Sequence, residues 1–171
     1  NKINFAGAGI DAKHDITPVS ADTIYYSFLV KINDISAVTD PNGGYFAGFG
    51  ANDTNFGGTI WTKKVDNNTF KFGSELRTAT GNGTTWTTTD YNVGDTYLVV
   101  GSYTFVAGTN NDVAKLWINP TLGLTTEPTP TIEDQWTAST DLASIVHFFF
   151  RQDSAMETPD LDIDELRIGT S

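Results

Sequence analysis

The sequence predicts an all-β protein, an antiparallel two-sheet β-sandwich of the jelly-roll kind. Three observations carry that expectation. Apolar and polar residues alternate with period two in run after run along the chain. Clusters of Asn, Asp and Gly punctuate those runs, supplying the positive φ angles and side-chain turns that reversals need. Helical periodicity is almost absent. Many short strands separated by such turns are the pattern of sandwiches and jelly rolls.

The clearest strand is Thr23 to Asp34. Ile24, Tyr26, Phe28, Val30 and Ile32 fall on one face, and Tyr25, Ser27, Leu29 and Lys31 on the other. Gly44 to Gly50, Thr59 to Lys63, Thr69 to Gly73, Thr96 to Val106, Val113 to Asn119, Ser144 to Gln152 and Leu161 to Ile168 alternate in the same way. Turns are expected at Asp40 to Gly44, Asn52 to Asn55, Asp66 to Asn68, Gly81 to Gly83 and Gly108 to Asp112. The segment Thr121 to Ala138 has no strand pattern. Its Pro128 and Pro130 make it an extended surface connection.

Composition bounds the function. The 171 residues are expected to form a single domain, 1–171, with a proper hydrophobic core. Near-continuous apolar stretches are as short as Ser144 to Phe150, so no membrane span is expected. The net charge of −11 disfavours nucleic acid and anionic membrane surfaces as partners, and it suits divalent cations at clustered carboxylates. Without cysteine there is no disulfide or zinc–thiolate chemistry. The chain begins at Asn1 with no visible signal peptide, which reads as a mature fragment or a module of a longer protein.

A specific resemblance runs through YYSFLVKI (25–32), TYLVVGSYTFVAGTNNDVAKLWINP (96–120), EPTP (127–130), DLASI (141–145), FFRQ (149–152) and LDIDELRIGTS (161–171). This order of motifs resembles the LamG-like, concanavalin A-like jelly-roll module of large secreted Bacteroidetes proteins. Residues 1–22 match less clearly, as a first edge strand and loop would. The resemblance implies a secreted or cell-surface bacterial module, attached to catalytic or adhesion domains, in a fold that often binds carbohydrate. It also implies a structural calcium held from the final strand, with Asp164 as first ligand, Asp162 as second and Asp11 contributing from the N-terminal side.

Sugar rings are recognised by stacking on exposed aromatic side chains, with charged and polar groups fixing the hydroxyls. The candidate binding residues are Trp117 with Lys115, Trp61, Tyr25, His147 and Arg151 on strand faces, and Trp86 and Trp136 in polar loops. Lys63, Lys115 and Arg151 suit an anionic marine or plant-type glycan. Each strand Trp has a simpler reading as a ring covered by a loop or by the second sheet.

Two patterns imitate catalytic sites. Asp160, Asp162 and Asp164 alternate on one strand face, roughly 6–7 Å apart, near the spacing of a glycosidase pair. They are Asp rather than Glu, however, and no Trp-lined subsite lies nearby in sequence. Ser74-Glu75-Leu76-Arg77 with Ile145-Val146-His147 resembles part of an alginate lyase motif set. The Gln expected before the Ile-His pair is missing, and Tyr45-Phe46 comes before rather than after the SELR run. The expected function is therefore a non-catalytic carbohydrate-binding module that targets a secreted protein to polysaccharide. The competing expectations are a structural or protein-interaction spacer, and a small jelly-roll hydrolase or lyase.

Overall fold

The strongest alternating run becomes the spine of a sheet. The computed structural model describes residues 2–77, 83–138 and 140–170. In it the run forms β3 (Asp22–Asp34), whose Ile24, Tyr26, Phe28, Val30 and Ile32 are all essentially inaccessible to solvent. The strands before it are β1 (Ile3–Phe5) and β2 (Ala12–Val19). After it come β4 (Gly44–Gly50), β5 (Phe56–Lys64), β6 (Thr69–Arg77), β7 (Thr85–Trp86) and β8 (Tyr91–Asn92). The chain then forms β9 (Thr96–Phe105), β10 (Val113–Ile118), β11 (Ile132–Asp134), β12 (Ile145–Phe150) and β13 (Asp160–Thr170).

Two antiparallel sheets result. One has six strands in the order β1-β13-β3-β9-β10-β11. The other has seven, β2-β12-β4-β5-β6-β7, with β8 attached to β6. The inner faces meet in an aromatic core. Tyr26 packs its ring 5.2 Å from both Phe49 and Phe148, and Phe28 lies 5.7 Å from Phe150. Each such buried ring contributes about 1.5–3 kcal/mol by leaving water. Tyr26 keeps its hydroxyl satisfied by donating to the Gly58 carbonyl oxygen at 3.1 Å.

The turn chemistry follows the Asn and Asp clusters. Asp40 accepts the Asn42 N–H, and Asn52 Oδ1 accepts the N–H groups of Thr54 and Asn55. Asp66 Oδ1 accepts those of Asn68 and Thr69. Gly81 and Asn82 of the expected turn lie outside the described residues.

Three features depart from simple alternation. Residues 121–138 are not wholly without strand, because Ile132–Asp134 pairs with Ala114–Leu116 as an edge strand. A register shift between Ile145 and His147 sends Ile145 into the core and His147 outward, although they are two residues apart. A second bulge lies between Asp164 and Arg167, where Glu165 has φ 56°. Within it Leu166 is 37% exposed, lining a cavity at the open edge of the sandwich with Ile16, Ile24 and Ile168 rather than joining Ile163 in the core.

Candidate functional site

The outer face of the seven-stranded sheet gathers the richest set of candidate side chains. Trp61 on β5 stands between Tyr45 on β4 and Gly73 on β6, and Gly73 pairs onward with Trp86 on β7. Glycine is required at 73. A Cβ there would stand 2.7 Å from the Trp86 ring, so the indole lies directly on the strand. On the other side of Tyr45, the Arg151 backbone N–H donates to the Phe46 carbonyl oxygen at 2.8 Å, setting its guanidinium beside the phenol.

These placements create one contiguous aromatic strip. Ring centroids lie 6.5 Å apart for Trp86–Trp61, 5.0 Å for Trp61–Tyr45 and 6.2 Å for Tyr45–Phe149. Phe56 closes on Phe149 at 4.6 Å, and His147 lies 6.3 Å from Phe149. Trp86, Trp61, Tyr45 and Phe56 are half-buried, whereas Phe149 and His147 are buried. Two cations lie over the strip: Lys63 Nζ is 4.4 Å from the Trp86 ring centre and Arg151 Cζ is 4.6 Å from that of Tyr45. Both are cation–π contacts, and Arg151 is in addition paired with the Asp153 carboxylate at 2.7 Å.

Burial tunes the ionisable groups here. Desolvation pushes the Tyr45 phenol up to about 12, against the pull of Arg151. Glu75, on the same face under Thr84, is pushed up to about 7, chiefly by desolvation. The Thr84 hydroxyl, donating to it at 2.8 Å, opposes that shift, and nearby Asp134 adds to it. Burial also lowers His147, with Lys13 acting in the same direction, which favours the neutral imidazole. His147 lies tightly over Gly50, where an added Cβ would collide with its ring. Beyond Phe149 the strip opens into a cavity of about 270 Å³ lined by Asp11, Lys13, Asp53, Phe56, His147 and Phe149.

The other candidates sit elsewhere. Trp117, Lys115 and Tyr25 occupy the outer face of the six-stranded sheet, with the thickness of the core between them and His147 or Arg151. Trp117 is only 3% exposed beneath the loop 120–128, and its Nε1 donates to the Pro128 carbonyl oxygen at 2.8 Å. Glu127 ties that loop down by accepting from Lys115 at 2.8 Å and from the Tyr25 hydroxyl at 3.1 Å. A cavity of about 330 Å³ remains between the loop and the Tyr25–Trp117 pair. Trp136 is half-buried and packs against the core from its connection.

The expected calcium ligands are not brought together. Asp162 faces out of the six-stranded sheet, where it accepts from Lys2 Nζ at 2.8 Å and Asn4 Nδ2 at 3.0 Å. Asp164 Oδ1 accepts the Glu165 N–H, and Asp11, on the opposite side of the sandwich, accepts the Gln152 N–H. Among the described residues no three acidic or histidine side chains converge as a metal cage would require.

The lyase-like residues do share a face. Glu75 and Arg77 on β6 and His147 on β12 all point outward from the seven-stranded sheet, but β5 and β4 lie between them. Ile145, where the amide residue of the lyase pattern is expected, is buried in the core.

Tyr45 and Phe56 join the strip although strand alternation alone did not single them out. Tyr45 is masked because β4 carries two register shifts, which put Phe46 and Ala47 both inward. Phe56 opens its strand directly after a turn. The signal that was available is the spacing of His147, Phe149 and Arg151, which the structure keeps on one face.

No family model matches the chain, and no curated protein matches it. Solved structures do. A native heptameric SAP-like pentraxin from Limulus polyphemus superposes with a TM-score of 0.59 at 12% identity, over 98% of this chain and 74% of that one. Alginate lyase A1-II', of polysaccharide lyase family 7, gives 0.50 at 13% identity over 89% of this chain. The chain is a jelly-roll sandwich. At these identities the likeness establishes the concanavalin A-like fold, with two antiparallel sheets, and leaves function to the site. The jelly roll described here spans 63% of the lyase's length. A tetrameric galectin from the ball sponge Cinachyrella sp. is more distant, at a TM-score of 0.46 and 8% identity.

Proposed function

We propose that this jelly roll is a non-catalytic carbohydrate-binding module, and that its ligand lies on the outer face of the seven-stranded sheet. The observation that carries the reading is the aromatic strip from Trp86 through Trp61 and Tyr45 to Phe149, with Lys63 and Arg151 laid across it. Half-exposed rings offer stacking surface for the C–H faces of sugars. The Lys63 ammonium over Trp86 suits carboxylate- or sulfate-bearing chains through charge-assisted hydrogen bonds, Arg151 being already paired with Asp153. The pentraxin and lyase likenesses support the scaffold on which this reading rests. The sequence resemblance to LamG-like modules supports a secreted or cell-surface bacterial setting, with further domains in the parent protein. Calcium has no part in the proposed contacts.

The experiment is retention on, and calorimetric titration with, alginate, agar, carrageenan, laminarin, xylan and pectin, for the wild type and Trp61→Ala. Saturable binding to at least one polysaccharide, weakened about tenfold or more in Trp61→Ala, is expected. Absence of binding throughout the panel moves the reading to a spacer domain.

A lyase is the second reading, favoured by His147, Tyr45 and Arg77 sharing one face. Proton abstraction needs its base and its charge-neutralising group around one sugar carbon. Here Phe149 stands between His147 and Arg151 along the strand, and the amide position is a buried Ile145. Unsaturated products accumulating from alginate or pectin, and abolished by His147→Ala, would make the module catalytic.

A further inference from the structure

The strip is built differently at its two ends. Toward β7 it finishes on Trp86 in a two-residue edge strand, with Lys63 lying across the indole, so a ligand leaving that end runs off the sheet. Toward β12 it enters the 270 Å³ cavity, whose floor is Phe56 and Phe149. There Lys13 of the edge strand β2 stands directly opposite Phe149 in the register. Its ammonium meets Asp53 of the β4–β5 turn at 2.9 Å. This contact clasps the edge strand to the turn at the end of the strip.

Both walls are tied down. The turn that presents Asp53 is closed by Asn52, which accepts two backbone N–H groups, and by the Ala51 N–H donating to the Asn55 carbonyl oxygen at 2.9 Å. Asp11 is fixed by the Gln152 N–H at 2.8 Å, and the Gln152 side-chain amide donates back to the Ile10 carbonyl oxygen at 2.9 Å. His147 is held over Gly50 and buried, and the neutral imidazole has one N–H to donate and one lone pair to accept.

We infer that the cavity behind the Lys13–Asp53 clasp is a terminal subsite, which receives the end residue of a glycan chain while the preceding sugars lie along the strip. An aromatic floor ringed by one ammonium, two carboxylates and one imidazole matches a single polyhydroxylated ring, which both donates and accepts hydrogen bonds. The volume falls just below the range of about 300–1,000 Å³ for drug-sized ligands, which also favours one ring over several. The inference rests on the carbohydrate-binding reading and adds to it that the module binds chain ends rather than chain interiors.

The test uses size-fractionated oligosaccharides of alginate, agarose and laminarin, from dimers to long chains, in calorimetric titrations with the whole module. The expected result is one module per chain at every length that binds. Stoichiometry rising with chain length overturns the terminal subsite and leaves the carbohydrate reading standing. No binding by any ladder overturns both. Asp53→Ala, an exposed substitution outside the core, is expected to weaken short oligomers about tenfold and to let long chains take more than one module. Trp61→Ala is expected to weaken all lengths with the stoichiometry still at one per chain. If Asp53→Ala changes neither affinity nor stoichiometry, the clasp does not form the subsite. Borohydride reduction of the same oligomers separates the two sources of a chain end: lost binding assigns the reducing end, and retained binding the non-reducing end.

Discussion

The two outer faces of this sandwich carry similar side chains, covered on one face and half-exposed on the other. Each presents a tryptophan, a tyrosine and a cation close together: Trp61, Tyr45 and Arg151 on one face, and on the other Trp117 and Lys115 of β10 with Tyr25 of β3, two strands away. On the six-stranded sheet the loop 120–128 lies over the set, the indole N–H is spent on Pro128, and Glu127 neutralises the lysine. On the seven-stranded sheet the Trp61 indole N–H is likewise used, on Thr59 Oγ1, and Arg151 is paired with Asp153, but no loop covers the set and the Trp61, Trp86 and Tyr45 rings remain half-exposed. A tryptophan on an outward-facing strand position is thus an open ring or a packing element according to what the following loop does. Alternation within the strand does not decide it.

Substituting the two tryptophans breaks this comparison most sharply. Trp117→Ala empties a covered site and is expected to destabilise the fold by about 3–5 kcal/mol, measured by denaturant unfolding, with polysaccharide binding unchanged. Trp61→Ala is expected to be the milder stability change of the two and to lose the binding. Equal binding losses from both would erase the distinction between the faces.

Glu75 gives the next largest effect and belongs to the open face alone. Its folded-state pKa of about 7 lies above the ordinary 4.5 of an exposed glutamate. The folded form therefore binds the proton more tightly than the unfolded chain. The resulting stability is fully present below pH 4.5 and is lost as pH rises through about 7, a change of about 3 kcal/mol. Glu75→Gln keeps a neutral side chain under Thr84 and should flatten that part of the stability–pH profile. A profile with the same slope in wild type and Glu75→Gln would assign the dependence to other groups.

The smallest effect tests the lid. Glu127→Gln weakens an ion pair that is partly open to solvent, so a loss of at most about 1 kcal/mol is expected. Limited proteolysis should nonetheless show faster cleavage within 120–128, because Glu127 holds both Lys115 and Tyr25.

Much of the fold was legible because burial enforces period two. The eight alternating runs became β3, β4, β5, β6, β9, β10, β12 and β13, and the Asn and Asp clusters at 40–44, 52–55, 66–68 and 108–112 became turns between them. What escaped has physical causes. The strands β1, β7, β8 and β11 are two or three residues long, too short to show a period, and β2 is exposed along most of its length. Bulges reset the register at Ile145–His147 and at Asp164–Arg167, which alternation cannot foresee. The site was half legible. His147, Phe149 and Arg151 share a face as their spacing implies, and Trp61 lies on the same sheet face. Their separation from Trp117 depends on which strand joins which sheet. That is a long-range outcome of the fold rather than of any one segment.

The most direct measurement of the central claim uses the tryptophans themselves. The four indole N–H signals in a two-dimensional nitrogen–proton spectrum report separately on Trp61, Trp86, Trp117 and Trp136. On titration with the polysaccharide fragment that binds, the Trp61 and Trp86 signals are expected to shift together and saturably, while Trp117 stays in place. A shift confined to Trp117 or Trp136, with Trp61 and Trp86 unmoved, would contradict the assignment of the ligand to the seven-stranded face.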